Sequence, residues 1–399
     1  MKTMHEWFYM REGFTTFRLD PERHGQLVFG HEDRRKRDLL IGNIEEGCYS
    51  AEGNKAAVFG DYGRGKTHLC HNLALEVRRI GLNVVPLYVK CSAYTAKEPF
   101  SGFFHELVKA FPTEELNAVA DEYARRAKAG TARPMAEVVR NEDIALVLTR
   151  GLGAPNPDLV RTSTWWLGGQ PKVNLGELGS ALTPQLKDSQ EFGAVMRGIV
   201  ELYLVVKERV PLFFIDEAER FQNVTHADTY WKWLAALREL TEINNLGLIF
   251  MIGAKNRNDI PAIFLAPELM RRIGMANYIE LTNPAREDLR SFLIELLQTI
   301  IRKGEVPEAH RKLVDPKALD AKVPKDLQKI AEEDERALES YPFEPNAFDE
   351  LIEQLNRGQS TNKPSEMLVR LQKCAQRAMR EDRKRITKKI VEGIESEGM

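Results

Sequence analysis

One run constrains the fold more than any other: Ala57-Val58-Phe59-Gly60-Asp61-Tyr62-Gly63-Arg64-Gly65-Lys66-Thr67, followed by His68. The spacing G-x-x-x-x-G-K-T after an apolar run and before a helical pattern calls for a strand, a tight loop and a helix. Glycines at 60, 63 and 65 let backbone N–H groups turn inward around a polyphosphate. Lys66 then reaches the β- and γ-phosphates, and the Thr67 hydroxyl ligates Mg²⁺. A helix from Thr67 aims its positive end at the same phosphates. The run from Gly60 to His68, with Asp61, Tyr62 and Arg64 inside it, is therefore the candidate nucleotide contact. The alternative is a glycine-rich turn with an incidental lysine, and the strand–loop–helix context separates the two.

The length of 399 residues suits one large domain with an appendage, or two domains. A net charge of -2 gives no global field toward nucleic acid or membrane. The N-terminus lacks the apolar core of a signal peptide, and no apolar run is long enough to span a bilayer. Cys48, Cys70, Cys91 and Cys374 are scattered, with neither metal spacing nor a disulfide framework. The expectation is a soluble, reduced, cytoplasmic protein with no membrane partner.

Strand-like runs at Ala56–Phe59, Val84–Val89, Pro211–Ile215, Leu246–Ile252 and Asn277–Leu281 alternate with helical patterns. That alternation implies a parallel sheet covered on both faces. The stretch 112–192 carries helical periodicity at Glu114–Lys128 and Met135–Leu152 and a tryptophan pair, Trp165-Trp166. Beyond Pro284 the pattern is helical, with a charged interruption at 303–340.

Asp216 and Glu217 end a buried strand, where a second nucleotide motif is expected. Asp216 would hold Mg²⁺ and Glu217 would polarise the attacking water; the alternative is a solvated strand-end pair. Asn256 ends the next strand and reads either as an orienter of the lytic water or as a loop cap. Arg271 and Arg272 read either as a finger toward a neighbouring subunit's γ-phosphate or as surface arginines. The basic run Arg370, Lys373, Arg377, Arg380, Arg383, Lys384, Arg385, Lys388, Lys389 either tracks DNA phosphates or forms one solvated helix face.

The order of phosphate loop, apolar-D-E, strand-end Asn, Arg pair and helical lid resembles an AAA+ ATPase. The resemblance is to the initiator branch, the origin-recognition-type ATPases and their bacterial relatives. Val28-Phe29-Gly30-His31-Glu32 resembles its adenine-side segment, which implies that Phe29 and Gly30 face the base. Leu87-Tyr88-Val89-Lys90-Cys91 resembles its second strand, and Ile252-Gly253-Ala254-Lys255-Asn256 its sensor strand. In the lid, Asn362-Lys363-Pro364-Ser365 stands where that family often has G-N-P-R, so Ser365 occupies the place of a sensing arginine. No winged helix is expected after the lid. Trp166-Leu167-Gly168-Gly169 and Leu175-Gly176-Glu177-Leu178-Gly179 are similar to ATP-binding proteins of BREX-type phage-resistance loci, with transposon target-selection ATPases as a further neighbour.

The expected fold is α/β: a P-loop αβα sandwich with a parallel sheet, a C-terminal helical lid and a helical insertion. The expected division is an N-terminal segment 1–50, an ATPase core 51–282 with the insertion at 112–192, and a lid 283–399. The cofactors implied are ATP and Mg²⁺. The expected partners are further copies of the chain through an arginine-finger interface, DNA, and a protein docked on 112–192 through the tryptophan pair. The expected activity is ATP hydrolysis gating a DNA-associated switch, in phage defence or mobile-element control. Two rivals stand beside it: a protein remodeller using an aromatic near Ser92-Ala93-Tyr94, and an ATP-dependent scaffold with little hydrolysis.

Overall fold

A computed structural model describes residues 2–50, 53–171, 173, 175–178, 182, 185–311, 322–357 and 363–396. The chain divides into two compact units. One comprises Leu39–Asp61 and Leu73–Glu280; the other comprises Met1–Asp38, Tyr62–Asn72 and Leu281–Met399.

The first unit holds a sheet of five strands: β1 (Lys55–Gly60), β2 (Val84–Lys90), β3 (Val210–Asp216), β4 (Gly247–Gly253) and β5 (Tyr278–Glu280). Their spatial order is β2-β3-β4-β1-β5, and every pairing is parallel. Central strands β1 and β3 are buried at every position, which their unbroken apolar runs require of strands covered on both faces. Parallel pairing also brings the C-terminal ends of the strands to one edge. Gly60 of β1 stands beside Gly253 of β4, and Lys90 of β2 stands beside Asp216 of β3. In open α/β sheets that edge is where ligands sit.

The stretch predicted as an insertion is helical, but less continuously than its periodicity suggests. The helix expected over 135–152 breaks at Arg140, which is left-handed with φ 54°. Asn141 then caps a new helix, its side chain accepting the Ile144 N–H at 3.0 Å. A π-helical turn, Val147–Gly151, follows. These elements and the helix Pro157–Leu167 share one hydrophobic cluster with the sheet, including Tyr123, Leu148, Trp166, Phe213 and Phe250. Gly179, in the second motif likened to phage-resistance proteins, lies outside the described residues.

The tryptophan pair does not act as a pair. Successive helical residues point about 100° apart, so one faces in and one faces out. Trp166 is 1% exposed and belongs to the core, whereas Trp165 is 45% exposed under the Arg161 guanidinium. The docking role expected of both therefore falls to Trp165 alone. Trp166→Ala is expected to destabilise by about 3–5 kcal/mol through the cavity it leaves. Trp165→Ala should stay within roughly 0.5 kcal/mol of wild type. Urea unfolding measures both, and equal losses would contradict this division.

The second unit joins the N-terminal residues to the C-terminal helices. Phe8, Phe17 and Leu27 share a core with Leu293 and Leu297 of the helix Leu289–Ile300, Phe348 and Leu351 of Pro345–Arg357, and Leu371 of Pro364–Arg380. Within the charged interruption, Lys325–Glu333 and Glu335–Ser340 are helical, and 312–321 lie outside the described residues. No helix among the described residues is long and apolar enough to cross a membrane.

Candidate nucleotide-binding and catalytic site

The glycine-rich run follows β1 directly and opens the helix Lys66–Arg79. Gly63 has φ +77° and Gly65 has φ +97°, a region that side-chain-bearing residues rarely adopt. A Cβ at Gly65 would meet no atom within 4 Å, so this part of the loop borders open space. Lys66 is buried, and its ammonium lies 5.6 Å from the centre of the exposed Tyr62 ring. Thr67, partly buried, follows it in the first helical turn. Gly60 closes β1, where its carbonyl accepts the Ala254 N–H at 3.0 Å, and Asp61 is partly buried beside it.

Two side chains of the run are committed elsewhere. The Arg64 guanidinium is buried and grips both Asp33 oxygens, at 2.8 and 2.5 Å. Its Nε donates to the Thr282 carbonyl. The phosphate contact expected of Arg64 is therefore limited to its backbone. His68 turns to the Leu27 carbonyl at 2.5 Å, and burial holds its imidazole below the usual pKa. It braces the segment that leads to Phe29.

Phe29 and Gly30 line a cavity of about 560 Å³ with Arg34, Pro284 and Phe292. Phe29 meets Phe292 and the buried His310 edge-on, at centroid distances of 6.2 and 4.7 Å. Gly30, at φ +82°, donates its N–H to Glu295 Oε2 at 3.1 Å, and Arg34 pairs with the same carboxylate. Glu295 lies far along the sequence, so nothing local to the adenine-side segment could have named it.

The lid reaches the loop within this unit. Ser365 donates its backbone N–H to the Gly63 carbonyl at 3.3 Å, and its hydroxyl occupies the space that a Gly63 side chain would need. Asn362 lies outside the described residues. Lys363 stands at the N-cap of the same helix, its ammonium 3.9 Å from Glu366 Oε1.

In the other unit, Asp216 is 2% exposed at the end of β3. Its Oδ1 accepts the Glu217 N–H and its Oδ2 accepts the Tyr88 hydroxyl, both at 2.9 Å. Glu217 is left-handed, φ 56°, an uncommon state for a side-chain-bearing residue. Its carboxylate lies 3.0 Å from Lys90 Nζ and 2.6 Å from Arg220 Nε. Burial pushes the Glu217 carboxyl up, but these two cations outweigh it and hold the group below its usual pKa. The sequence gives neither cation a role at this site, although the register of Lys90 opposite Asp216 follows from strand pairing.

Asn256 is exposed and serves as a cap. Its Oδ1 accepts the Asn258 N–H at 2.8 Å and its Nδ2 donates to Asp259 at 2.9 Å. The loop-cap alternative describes this geometry. The polar group over the end of β4 is instead Glu219, buried, accepting the Gly253 N–H at 2.7 Å.

The arginine pair also divides. Arg272 is tied to Glu242. Arg271 is exposed and has no side-chain partner among the described residues. Both line a cavity of about 740 Å³ with Asn43, Glu46 and Asn277.

No family model matches the sequence, and no curated protein matches it. Among solved structures the chain is similar to the Aeropyrum pernix ORC2 protein in ADPNP–ADP complexes. That match has 14% identity and a TM-score of 0.50, over 98% of this chain and 73% of the other. The Aeropyrum pernix ORC1 protein in complex with DNA matches at 11% identity and a TM-score of 0.43, over 94% and 67%. Cdc6p from Pyrobaculum aerophilum matches at 10% and 0.40, over 90% and 65%. The first of these supports the fold alone: an α/β arrangement with a parallel five-stranded sheet, followed by C-terminal helices.

Proposed function

We propose that the chain is an AAA+ ATP hydrolase that assembles with further copies of itself and acts as a nucleotide-gated switch on DNA. The observation that carries this reading is the loop itself. Two left-handed glycines follow a buried strand, and Lys66 and Thr67 open the next helix. In this reading the loop N–H groups and Lys66 hold the phosphates, and Phe29 and Gly30 border the base. Thr67 and Asp216 offer a hydroxyl and a carboxylate, the hard oxygen donors that suit Mg²⁺. The ion, when bound, offsets charge on the phosphates. Glu217 accepts the proton of the attacking water, and Arg271 reaches a neighbouring copy.

The DNA part rests on the C-terminal helices. Arg377, Arg383 and Lys388 are ion-paired with Glu381 or Glu350. Lys373, Arg380 and Lys389 are exposed with no carboxylate partner among the described residues, and Lys384 lies over the rings of Trp7 and Tyr9. Exposed cations beside aromatic rings suit a phosphate backbone with unstacked bases. A role in phage defence or mobile-element control rests on the sequence resemblance of Trp166–Gly169 and Leu175–Gly179 alone, with exposed Trp165 as the anchor for a protein partner.

The remodelling rival loses its aromatic. Tyr94 is buried and donates its hydroxyl to Glu106 at 2.6 Å, so it offers no side chain to a passing polypeptide. The scaffold rival has no specific support, because Glu217 is retained.

Lys66→Ala tests the nucleotide site. A charge-assisted contact contributes about 1.5–3 kcal/mol, so ATP affinity should fall roughly 10- to 150-fold. The helix tolerates alanine, and the thermal midpoint should hold. Equilibrium titration with a fluorescent ATP analogue measures the loss. Unchanged affinity in a folded variant would refute the loop as the phosphate site.

A further inference from the structure

Among the described residues β2 is an edge strand, paired with β3 alone. Along its C-terminal half Leu87 and Val89 are buried while Tyr88 and Lys90 are exposed. The two-residue period of a strand puts Tyr88 and Lys90 on one face. Register sets Tyr88 opposite Phe214 and Lys90 opposite Asp216. From there each side chain reaches one carboxylate. Lys90 goes to Glu217 at 3.0 Å, and the Tyr88 hydroxyl donates to Asp216 Oδ2 at 2.9 Å. Diagonal neighbours on paired strands are within reach of long aromatic side chains.

Asp216 is thus held from two sides. The Glu217 N–H fixes Oδ1 and the Tyr88 hydroxyl fixes Oδ2, so the plane of the carboxylate is set by two donors, one just past β3 and one on β2. A phenol is neutral at ordinary pH. It orients the carboxylate without cancelling the charge that a divalent cation needs, whereas an ammonium at the same place would compete with the ion. Groups that hydrogen-bond a metal ligand commonly tune the site as strongly as some ligands do.

We propose that Tyr88 is a positioning residue for Mg²⁺, its hydroxyl aligning Asp216 for the ion. The proposal rests on the nucleotide reading above. Tyr88 keeps its ring in Tyr88→Phe, and the hydroxyl lies at a half-exposed site, so the variant should fold.

The test uses the full chain and a fluorescent ATP analogue, titrated at rising Mg²⁺ and, separately, in EDTA. Tyr88→Phe should raise the Mg²⁺ concentration for half-maximal affinity gain about 10-fold, while affinity in EDTA stays at the wild-type value. In an Asp216→Asn background the Tyr88→Phe change should add nothing further. An unchanged Mg²⁺ midpoint in Tyr88→Phe overturns the proposal and leaves the nucleotide site standing. A shift that persists undiminished in Asp216→Asn also overturns it, because Tyr88 would then act on something else. If wild-type affinity ignores Mg²⁺ altogether, the metal reading of Asp216 fails, and the role of Tyr88 fails with it.

Discussion

Glu217→Gln is expected to bind ATP within about threefold of wild type and to lose turnover by roughly 10²–10⁴-fold, the range for removing a positioned general base. The argument starts from the end of β3. The strand delivers Asp216 and Glu217 in sequence at the edge where parallel strands end, with a left-handed backbone at 217. Glutamine adopts the same backbone at similar cost. Its amide oxygen still accepts from Arg220 and Lys90, so the local structure has little reason to change. The ion pairs it forfeits are partly exposed and contribute about 0–1 kcal/mol. What disappears is the capacity to take a proton. In the structure that capacity is already restrained, because Lys90 and Arg220 hold the carboxyl below its usual pKa and a weaker base draws a proton less well. In the proposed mechanism, loosening either contact would strengthen the base. Steady-state hydrolysis beside equilibrium ATP binding checks the prediction. Wild-type turnover would mean that another group activates the water, and buried Glu219 would be the first to examine.

The elements of this fold were legible because their signals are local. β1 and β3 are apolar without interruption, and the glycines at 63 and 65 announce a loop that only they can form. Side-chain partners were less legible, because they come from distant segments. Nothing local to Arg64 announces Asp33 and Thr282 as its partners, and nothing at Asn256 names Asp259 as the group its amide meets. Glu295 and Tyr88 were invisible as site-builders for the same reason. The break at Arg140 was different. An Asn at 141 with acids just after it is a cap signal in plain view, and the helical period across 135–152 masked it. Trp165 and Trp166 show the limit of composition: helix geometry, rather than residue type, decides which of two adjacent aromatics is core.

Arg271→Ala is expected to lower ATP turnover about 10³-fold or more without lowering ATP affinity, as loss of an arginine supplied in trans does. Arg272→Ala should cost far less, because its guanidinium is already held by Glu242 within its own chain. The separating experiment mixes two inactive proteins. An Arg271→Ala chain keeps a complete phosphate loop, and a Lys66→Ala chain keeps a complete arginine. If Arg271 works on a neighbour's nucleotide, a mixed assembly contains some intact composite sites. Hydrolysis should then return, rising with the fraction of mixed interfaces and vanishing on dilution below the assembly concentration. A finger acting within one chain cannot be rescued this way, since each chain would lack one essential part. Turnover in the wild type that tracks a strictly monomeric species, or a folded mixture that stays inactive while both chains co-assemble, would remove Arg271 from the site. Either result would leave its exposed guanidinium as an ordinary surface charge, and the oligomeric part of the proposed function would lose its chemical reason.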